Sequence, residues 1–259
     1  MLHFSAHLGY LFTEKPFVSR FAAARQAGFA IVECPVPYSI PVAQMRSILD
    51  GEGLQLVQFA LPTNDSEKGC AAIPGREQEF LASLAAGLEY AIAVGARFIH
   101  VQAGLVPAGV EFSRLWDTYI RNLAKAADQA AQCGLKILIE PITAASVANY
   151  FVNSSDLALR AVKQVAKPNV SVLFDVFHAT SAGEDAGRFV VEHVADIGHL
   201  HIADHPGRHE PGTGKIDYSS LFAMIEGSGF HGVIGCEYKP TGKTEDSFAW
   251  AKPWFETKR

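Results

Sequence analysis

The chain has 259 residues, of which 49% are hydrophobic and 19% charged, the composition of an ordinary globular protein. Its 27 acidic and 22 basic residues give a net charge of −5, so we expect neither a nucleic-acid partner nor a membrane surface, since both select a basic face. Four scattered cysteines without a CxxC pair, an N-terminus unlike a signal peptide and the lack of an apolar run of about 20 residues predict a cytoplasmic protein.

Eight short apolar runs alternate along the chain with longer stretches of helical periodicity. In chain order, the predicted strands cover residues 2–8, 30–34, 54–60, 96–103, 136–142, 170–178, 198–204 and 232–238. Between the third and fourth strands, Phe80, Leu84 and Leu88 repeat at four-residue spacing, and Gly95 follows in the position of a helix C-cap. Strands that are separated by helical crossovers pair in parallel.

Eight strand–helix units in about 250 residues predict an α/β fold, a single-domain (β/α)8 TIM barrel over residues 1–259. An open doubly wound sheet is the alternative, although no predicted strand is followed by a GxGxxG turn. The longest irregular stretch, residues 60–75, follows the third strand. A lid over a site and a tolerated surface insertion are equally good interpretations of it.

Four consecutive predicted strands, the fifth to the eighth, end in residues that can bind a metal. These residues are Glu140, Asp175, His201 and Glu237. The carboxyl ends of the strands form the active-site rim of such a barrel, so the four side chains are expected to converge. Three carboxylates and an imidazole would repel one another without a cation. The donor set suits a divalent metal ion, Mg²⁺ or Mn²⁺ first and Co²⁺ next.

A structural role is the alternative for each of these carboxylates taken singly. Glu140 and Glu237 could instead form salt bridges across the rim with Lys136, Lys239 or Arg208. Short motifs often mislead, and for one carboxylate the two interpretations are about equally good. The coincidence of metal-binding residues at four strand ends favours the metal site.

Two further polar residues lie near this rim in the sequence. His199 is one layer deeper on the seventh strand than His201, and we expect it to be hydrogen-bonded in the core or behind a metal ligand. Arg208 lies in the stretch PGRHEPGTG at 206–214. This stretch is either a turn or a substrate loop whose arginine holds a carboxylate through two hydrogen bonds.

With these residues in place, the chain resembles the hydroxypyruvate isomerase family, within the xylose isomerase-like TIM barrels. The matching stretches are IPGRE at 73–77, IEPI at 139–142, FDVFH at 174–178, ADHPGRHEPGTGKIDY at 203–218 and GCEYKPTG at 235–242. The resemblance implies that Glu140 and Glu237 are the two proton donors and acceptors and also metal ligands. It implies that Asp175 and His201 complete the metal site. His178 and Arg208 match residues that contact the substrate in related sugar epimerases.

The resemblance implies a metal-dependent isomerase of a small 2-oxo or hydroxy acid, with conversion of hydroxypyruvate to tartronate semialdehyde as the first expectation. A proton would move between the two glutamates through an enediolate. Isomerisation of a four-carbon 2-oxo-tetronate and C3 epimerisation of a ketose stay open on the same residues. A phosphodiesterase like endonuclease IV shares this barrel, but that enzyme needs more histidine ligands and a basic groove. Assembly into a homo-oligomer also stays open.

Overall fold

Strands and helices alternate along the chain in the computed structural model, which describes residues 2–63 and 67–255. The strands are β1 His3–His7, β2 Ile31–Glu33, β3 Gln55–Leu56, β4 Gln58–Ala60, β5 Phe98–His100, β6 Lys136–Ile139, β7 Val170–Asp175, β8 Ile197–Ile202 and β9 Val233–Cys236. The helices are α1 Ser19–Gln26, α2 Val42–Glu52, α3 Glu77–Val94, α4 Phe112–Gln132, α5 Ser155–Val165, α6 Val176–Ser181, α7 Ala186–His193, α8 Tyr218–Gly227 and α9 Lys252–Phe255. Two 3-10 helices cover Val194–Asp196 and Thr244–Ala251.

The strands form one parallel sheet that closes on itself at Val57. Their order is β3-β2-β1-β9-β8-β7-β6-β5-β4, so β3 and β4, the two halves of the third predicted strand, lie at its two ends. The Val57 N–H donates to the Val32 carbonyl at 2.9 Å, and the Val57 carbonyl accepts from the Phe98 N–H at 3.1 Å. The predicted eight-stranded barrel is therefore confirmed, and the open doubly wound sheet is wrong.

The interruption at Val57 also turns two consecutive side chains toward the barrel interior. Val57 packs inside the barrel with an apolar group of its own, Phe98, Leu138, Leu173 and Val233. The next side chain, that of Gln58, points inward as well and donates a hydrogen bond to Glu33. Leu56 and Phe59 belong instead to the large core between the sheet and the helices. This local irregularity breaks the alternation of the strand and re-aims the Gln58 side chain toward the site, as irregularities beside active sites often do.

The helices cover the outside of the barrel and bury one face each. Helix α3 ends as predicted at Gly95, whose left-handed φ of 71° suits a residue without a Cβ. On its inner face, Phe80, Leu84 and Leu88 are buried as their spacing predicts. On its outer face, Ile92 is 54% exposed. Helix α3 therefore packs its apolar face against the outer face of the barrel strands and helps to fix their positions.

Some sequence predictions fall on residues outside the described ranges. The stretch 60–75 includes residues 64–66, so its role as a lid stays a prediction. The ends of the predicted single domain, residue 1 and residues 256–259, also lie outside the described ranges. None of the helices that the structure describes has the length and apolar character needed to cross a membrane.

Burial of the α3 face gives a prediction about stability. Leu84→Ala should lower the free energy of unfolding by about 2–5 kcal/mol, because it leaves a cavity in the core. Ile92→Ala on the same helix removes an exposed side chain and should change it by about 0.5 kcal/mol or less. Urea unfolding of the two variants measures both values. Equal losses would contradict the packing of α3 described above.

Candidate active site and metal centre

Polar side chains reach the barrel interior from every strand position around the ring. They are His7 at the end of β1, Glu33 at the end of β2, Gln58 on β4, His100 at the end of β5, Glu140 after β6, Asp175 at the end of β7, His201 on β8 and Glu237 after β9. All but Glu237 are buried, and the Glu237 side chain is only 12% exposed. This concentration of buried polar groups lies where parallel strands end, which is the functional face of such barrels.

The four residues predicted as metal ligands lie together, and we refer to them as the carboxylate cluster. One donor atom from each of Glu140, Asp175, His201 and Glu237 lies within 4.8 Å of the others. His201 Nδ1 is 3.6 Å from Glu140 Oε1 and 3.4 Å from Glu237 Oε2. Neither His201 Nδ1 nor Glu140 Oε1 has a hydrogen-bond partner, which is costly for buried polar atoms. The donors therefore fit a cation, and the cluster can bind a metal.

Charge within the cluster is only partly balanced by protein groups. Arg208 Nη2 lies 3.2 Å from Asp175 Oδ2 and also contacts Glu237 Oε2. The salt bridge considered as an alternative for Glu237 is thus present, with Arg208 as its partner. Lys136 is exposed at the start of β6, far from the cluster end of its strand. With His201 neutral, three carboxylates less one guanidinium leave two negative charges, which one divalent ion would offset.

The proton affinities of the cluster reflect the same crowding of charge. Burial acts to raise the pKa of Glu237, but Arg208 and His201 hold it well below its usual range. Burial acts to lower the pKa of His201, but Glu237 and Glu33 keep it well above its usual value. Burial raises the pKa of Asp175 against the opposing effects of His178 and Arg208. Without a cation, the cluster thus favours extra protons on His201 and Asp175.

Asp175 links the cluster to the helix that follows β7. Its Oδ1 caps α6 by accepting from the Phe177 N–H at 2.7 Å and the His178 N–H at 3.3 Å. Its Oδ2 is left to face the cluster. His178, predicted to contact substrate, lies with Nε2 3.6 Å from Asp175 Oδ2 and Nδ1 3.3 Å from Ser146 Oγ. The ring of His178 is therefore held beside the cluster, and its contact with substrate stays a prediction.

The segment 204–216 carries Arg208 and is organised around the buried side chain of Asp204. Asp204 Oδ1 accepts from the N–H of Ile216 at 3.1 Å, and Oδ2 accepts from the N–H of Gly212 at 2.8 Å. The Arg208 N–H in turn donates to the Asp204 carbonyl at 3.0 Å. These hydrogen bonds fold the segment back on itself, so it is more than a turn between β8 and α8.

Two aromatic rings hold the guanidinium of Arg208 over the cluster. Its Cζ lies 4.8 Å from the centre of the Tyr10 ring and 5.1 Å from that of Phe177. Planar guanidinium groups stack well on aromatic faces, and the contacts reduce the freedom of a long side chain. Arg208 thus projects from a fixed loop to a fixed point beside Asp175 and Glu237, whereas its contact with a substrate carboxylate stays a prediction.

Sequence reasoning missed a second set of buried polar residues, which we call the Glu33 network. Glu33 Oε2 accepts from Gln58 Nε2 at 2.8 Å and lies 2.7 Å from His199 Nε2, while Oε1 accepts from Ser5 Oγ at 3.2 Å. Glu33 and His199 have no solvent exposure. The expectation that His199 is a hydrogen-bonded core histidine is confirmed. Glu33, His199 and His201 also lie close enough together to hold a metal ion.

Two further histidines flank the predicted catalytic glutamates. His7 Nε2 lies 3.3 Å from Glu237 Oε1, and His100 Nε2 lies 3.7 Å from Glu140 Oε2. Burial lowers the pKa of both histidines, against the opposing effects of Glu237 on His7 and of Glu140 on His100, so both favour the neutral form. The sequence indicated that His7 faces inward, with a packing or substrate-side role. The signal that identified Glu140 would also have found His100 and Glu33, because each closes an apolar strand.

Comparisons with known proteins identify the family of this chain. The family model described as xylose isomerase-like TIM barrel matches residues 21–254. The chain belongs to this family. It is 40% identical to a 2-oxo-tetronate isomerase from Cupriavidus necator, over 98% of this chain and 99% of that protein. It is 37% identical to the hydroxypyruvate isomerase of Escherichia coli strain K12, over 98% of this chain and 100% of that one. The predicted resemblance, and the isomerase class that it implied, are confirmed.

Solved structures share the fold of this family member. A crystal structure of a protein from Brucella melitensis titled AP endonuclease, family 2, has a TM-score of 0.95 and 37% identity, covering 98% of this chain and 99% of that one. A D-allulose 3-epimerase from Methylomonas sp. has a TM-score of 0.82 at 18% identity, covering 100% and 97%. The second likeness shows the shared barrel only.

The Asp204 hydrogen bonds predict a local change on mutation. Asp204→Ala should raise the amide hydrogen exchange of Gly212 and Ile216 more than tenfold, since hydrogen bonds to a charged group contribute about 1.5–3 kcal/mol. Asp217→Ala is the matched control, because Asp217 caps α8 through the Ser220 N–H at 3.1 Å. It should speed exchange at Ser220 and leave Gly212 unchanged. Unchanged exchange at Gly212 in Asp204→Ala would contradict the role given to Asp204.

Proposed function

We propose that this protein is a divalent-metal-dependent isomerase that interconverts hydroxypyruvate and tartronate semialdehyde. The observation that carries the proposal is the position of Glu140 and Glu237. They approach the same His201 nitrogen from separate strands, β6 and β9, at 3.6 and 3.4 Å. Two carboxylates on different sides of one small volume suit a reaction that takes a proton from one carbon and returns it to the next.

The two proton transfers of this reaction require both glutamates. One carboxylate removes a hydrogen from the CH₂OH carbon of hydroxypyruvate, and the electron pair moves toward the neighbouring carbonyl. The other glutamate, in its protonated form, gives a proton to that former carbonyl carbon, while the hydroxyl hydrogen transfers between the two oxygens. The product is an aldehyde with the hydroxyl on the middle carbon. Either glutamate could act first in the forward direction.

Glu140, Asp175, His201 and Glu237 would hold the divalent ion. Mg²⁺ or Mn²⁺ suits three carboxylates and an imidazole best, and Co²⁺ comes next. A bound divalent ion would supply Lewis acidity to the carbonyl and hydroxyl oxygens of the substrate. Glu140 and Glu237 then have two duties, because each both binds the ion and moves the proton.

The remaining charges near the cluster suit a substrate that is an anion. Arg208 is the candidate for the substrate carboxylate and His178 for a substrate oxygen. Beside Tyr10, which stacks on Arg208, lies a cavity of about 700 Å³ that is lined by two lysines, Lys68 and Lys239, and one carboxylate, Glu14. An excess of positive over negative charge in a cavity raises the local concentration of anionic substrates. We also propose that the protein is cytoplasmic and that neither nucleic acid nor a membrane is its partner.

Two other substrates each have a specific observation in their favour. The 40% identical relative from Cupriavidus necator is named 2-oxo-tetronate isomerase, an activity that needs the same proton transfer on an acid longer by one carbon. The 37% identical protein from Brucella melitensis is titled AP endonuclease, which would instead cleave a phosphodiester in abasic DNA. The net charge of −5 disfavours the DNA substrate.

Removing either proton carrier should stop the reaction without unfolding the barrel. Glu140→Gln and Glu237→Gln should each lower kcat by about 10²–10⁴-fold, because an amide cannot exchange the proton. Far-ultraviolet circular dichroism checks that each variant is folded. Near-normal turnover in either folded variant would contradict the two-glutamate mechanism.

Proton NMR in D₂O tests the activity, the substrate and the metal together. Chelator-treated protein is offered hydroxypyruvate or 2-oxo-tetronate, each with and without Mg²⁺ or Mn²⁺. We expect isomerisation of one acid only when metal is present, with deuterium appearing on a carbon beside the carbonyl. Full activity after chelation would contradict the metal requirement. Lack of isomerisation of both acids, with metal-dependent cleavage of abasic DNA, would favour the endonuclease.

A further inference from the structure

The ring of His201 is held between two sets of carboxylates. Its Nδ1 faces Glu140 and Glu237 at 3.6 and 3.4 Å, as described above. Its Nε2, on the opposite edge of the ring, lies 3.4 Å from Glu33 Oε2. A neutral imidazole carries hydrogen on one nitrogen and a lone pair on the other. A carboxylate that faces Nε2 favours the hydrogen there and leaves the Nδ1 lone pair for a cation in the cluster.

Glu33 is itself fixed by three polar groups, one of which, the Gln58 amide nitrogen, also lies 3.5 Å from His201 Nε2. Ser5, Gln58 and His199 all point polar atoms at its carboxylate, at distances of 3.2, 2.8 and 2.7 Å. All three are buried, and Gln58 faces inward only because the strand is interrupted at Val57. The carboxylate therefore occupies one defined position on the inner side of His201.

A glycine on β9, Gly235, leaves space for the Glu33 carboxylate. Gly235 pairs with His201 across the sheet. A Cβ at position 235 would overlap Glu33 Oε1 and would come within 2.6 Å of His201 Cδ2. Only a residue without a side chain allows Glu33 and His201 to meet here. The contact thus depends on four strands, β1, β2, β4 and β9, in addition to β8.

We propose that Glu33 is a positioning residue for the metal centre, which orients His201 and sets the tautomer that presents Nδ1 to the ion. The inference rests on the metal centre of the proposed function. The alternative, in which Glu33, His199 and His201 bind an ion of their own, is less suited to the geometry. The short distances from Glu33 to Gln58 and His199 are those of hydrogen bonds already made.

The test compares Mn²⁺ binding by the wild-type protein and Glu33→Gln, with free Mn²⁺ measured by electron paramagnetic resonance. Glutamine keeps the size of the side chain but brings an NH₂ group toward the donors. Loss of such a partner should weaken Mn²⁺ binding roughly 10- to 100-fold. Glu184→Gln is the matched control, since Glu184 Oε1 accepts from the Ser155 N–H at 3.2 Å outside the cluster. This variant should bind Mn²⁺ as the wild type does.

The outcomes separate failure of this inference from failure of the proposed function. If wild type binds Mn²⁺ and folded Glu33→Gln binds it equally well, the positioning role is wrong and the metal centre stands. If the wild type binds no Mn²⁺, the metal centre is wrong and the positioning role with it. Complete loss of binding in Glu33→Gln with an ion located on Glu33 itself would make Glu33 a ligand and overturn the proposal.

A second measurement can still overturn the proposal if Glu33→Gln does not fold. Long-range proton–nitrogen NMR of the Mg²⁺-saturated wild type reports which ring nitrogen of each histidine carries hydrogen. The His201 signals are assigned as those absent from His201→Asn. We expect hydrogen on Nε2 and none on Nδ1. Hydrogen on Nδ1 in the metal-loaded protein would overturn the proposal.

Discussion

Three carboxylates, two of them buried and the third 12% exposed, face one imidazole at the carboxyl ends of β6 to β9, and the surrounding structure stabilises their charge. A buried charge without compensation is costly, so each neighbouring feature supplies compensation or fixes a side chain that does. Arg208 supplies one positive charge and is fixed by the Asp204 loop and two aromatic rings. Glu33 faces the far side of His201. The two negative charges that Arg208 leaves on the carboxylate cluster equal in size the charge of one divalent ion.

The barrel separates these charged side chains from the apolar core, which lowers the free-energy cost of burying them. An apolar group of side chains, including Leu138 and Leu173, fills the interior of the barrel. The polar side chains lie further along the same strands, as with Glu140 after Leu138 and Asp175 after Leu173. Period-two alternation thus places apolar and polar residues of one face in successive layers. The helices bury the opposite face of each strand and keep this layering rigid.

The sequence predicted the barrel and the four members of the cluster because each is a metal-binding residue that closes an apolar strand. Glu33 closes an apolar strand in the same way, but its partners are remote: Gln58 is 25 residues away and His199 is 166. Its position at a strand end was therefore a usable signal, but nothing local indicated the residues that Glu33 contacts. The inward position of Gln58 could not be predicted for another reason. Sequence reasoning assumes strict alternation of side chains along a strand, and the interruption at Val57 breaks that alternation.

Anomalous X-ray scattering from crystals grown with Mn²⁺ tests most directly whether the carboxylate cluster is a metal centre. A peak bounded by Glu140, Asp175, His201 and Glu237 is the predicted result. Two results would contradict the claim: a peak bounded by Glu33 and His199 instead, or Mn²⁺ absent from the barrel at concentrations that support isomerisation.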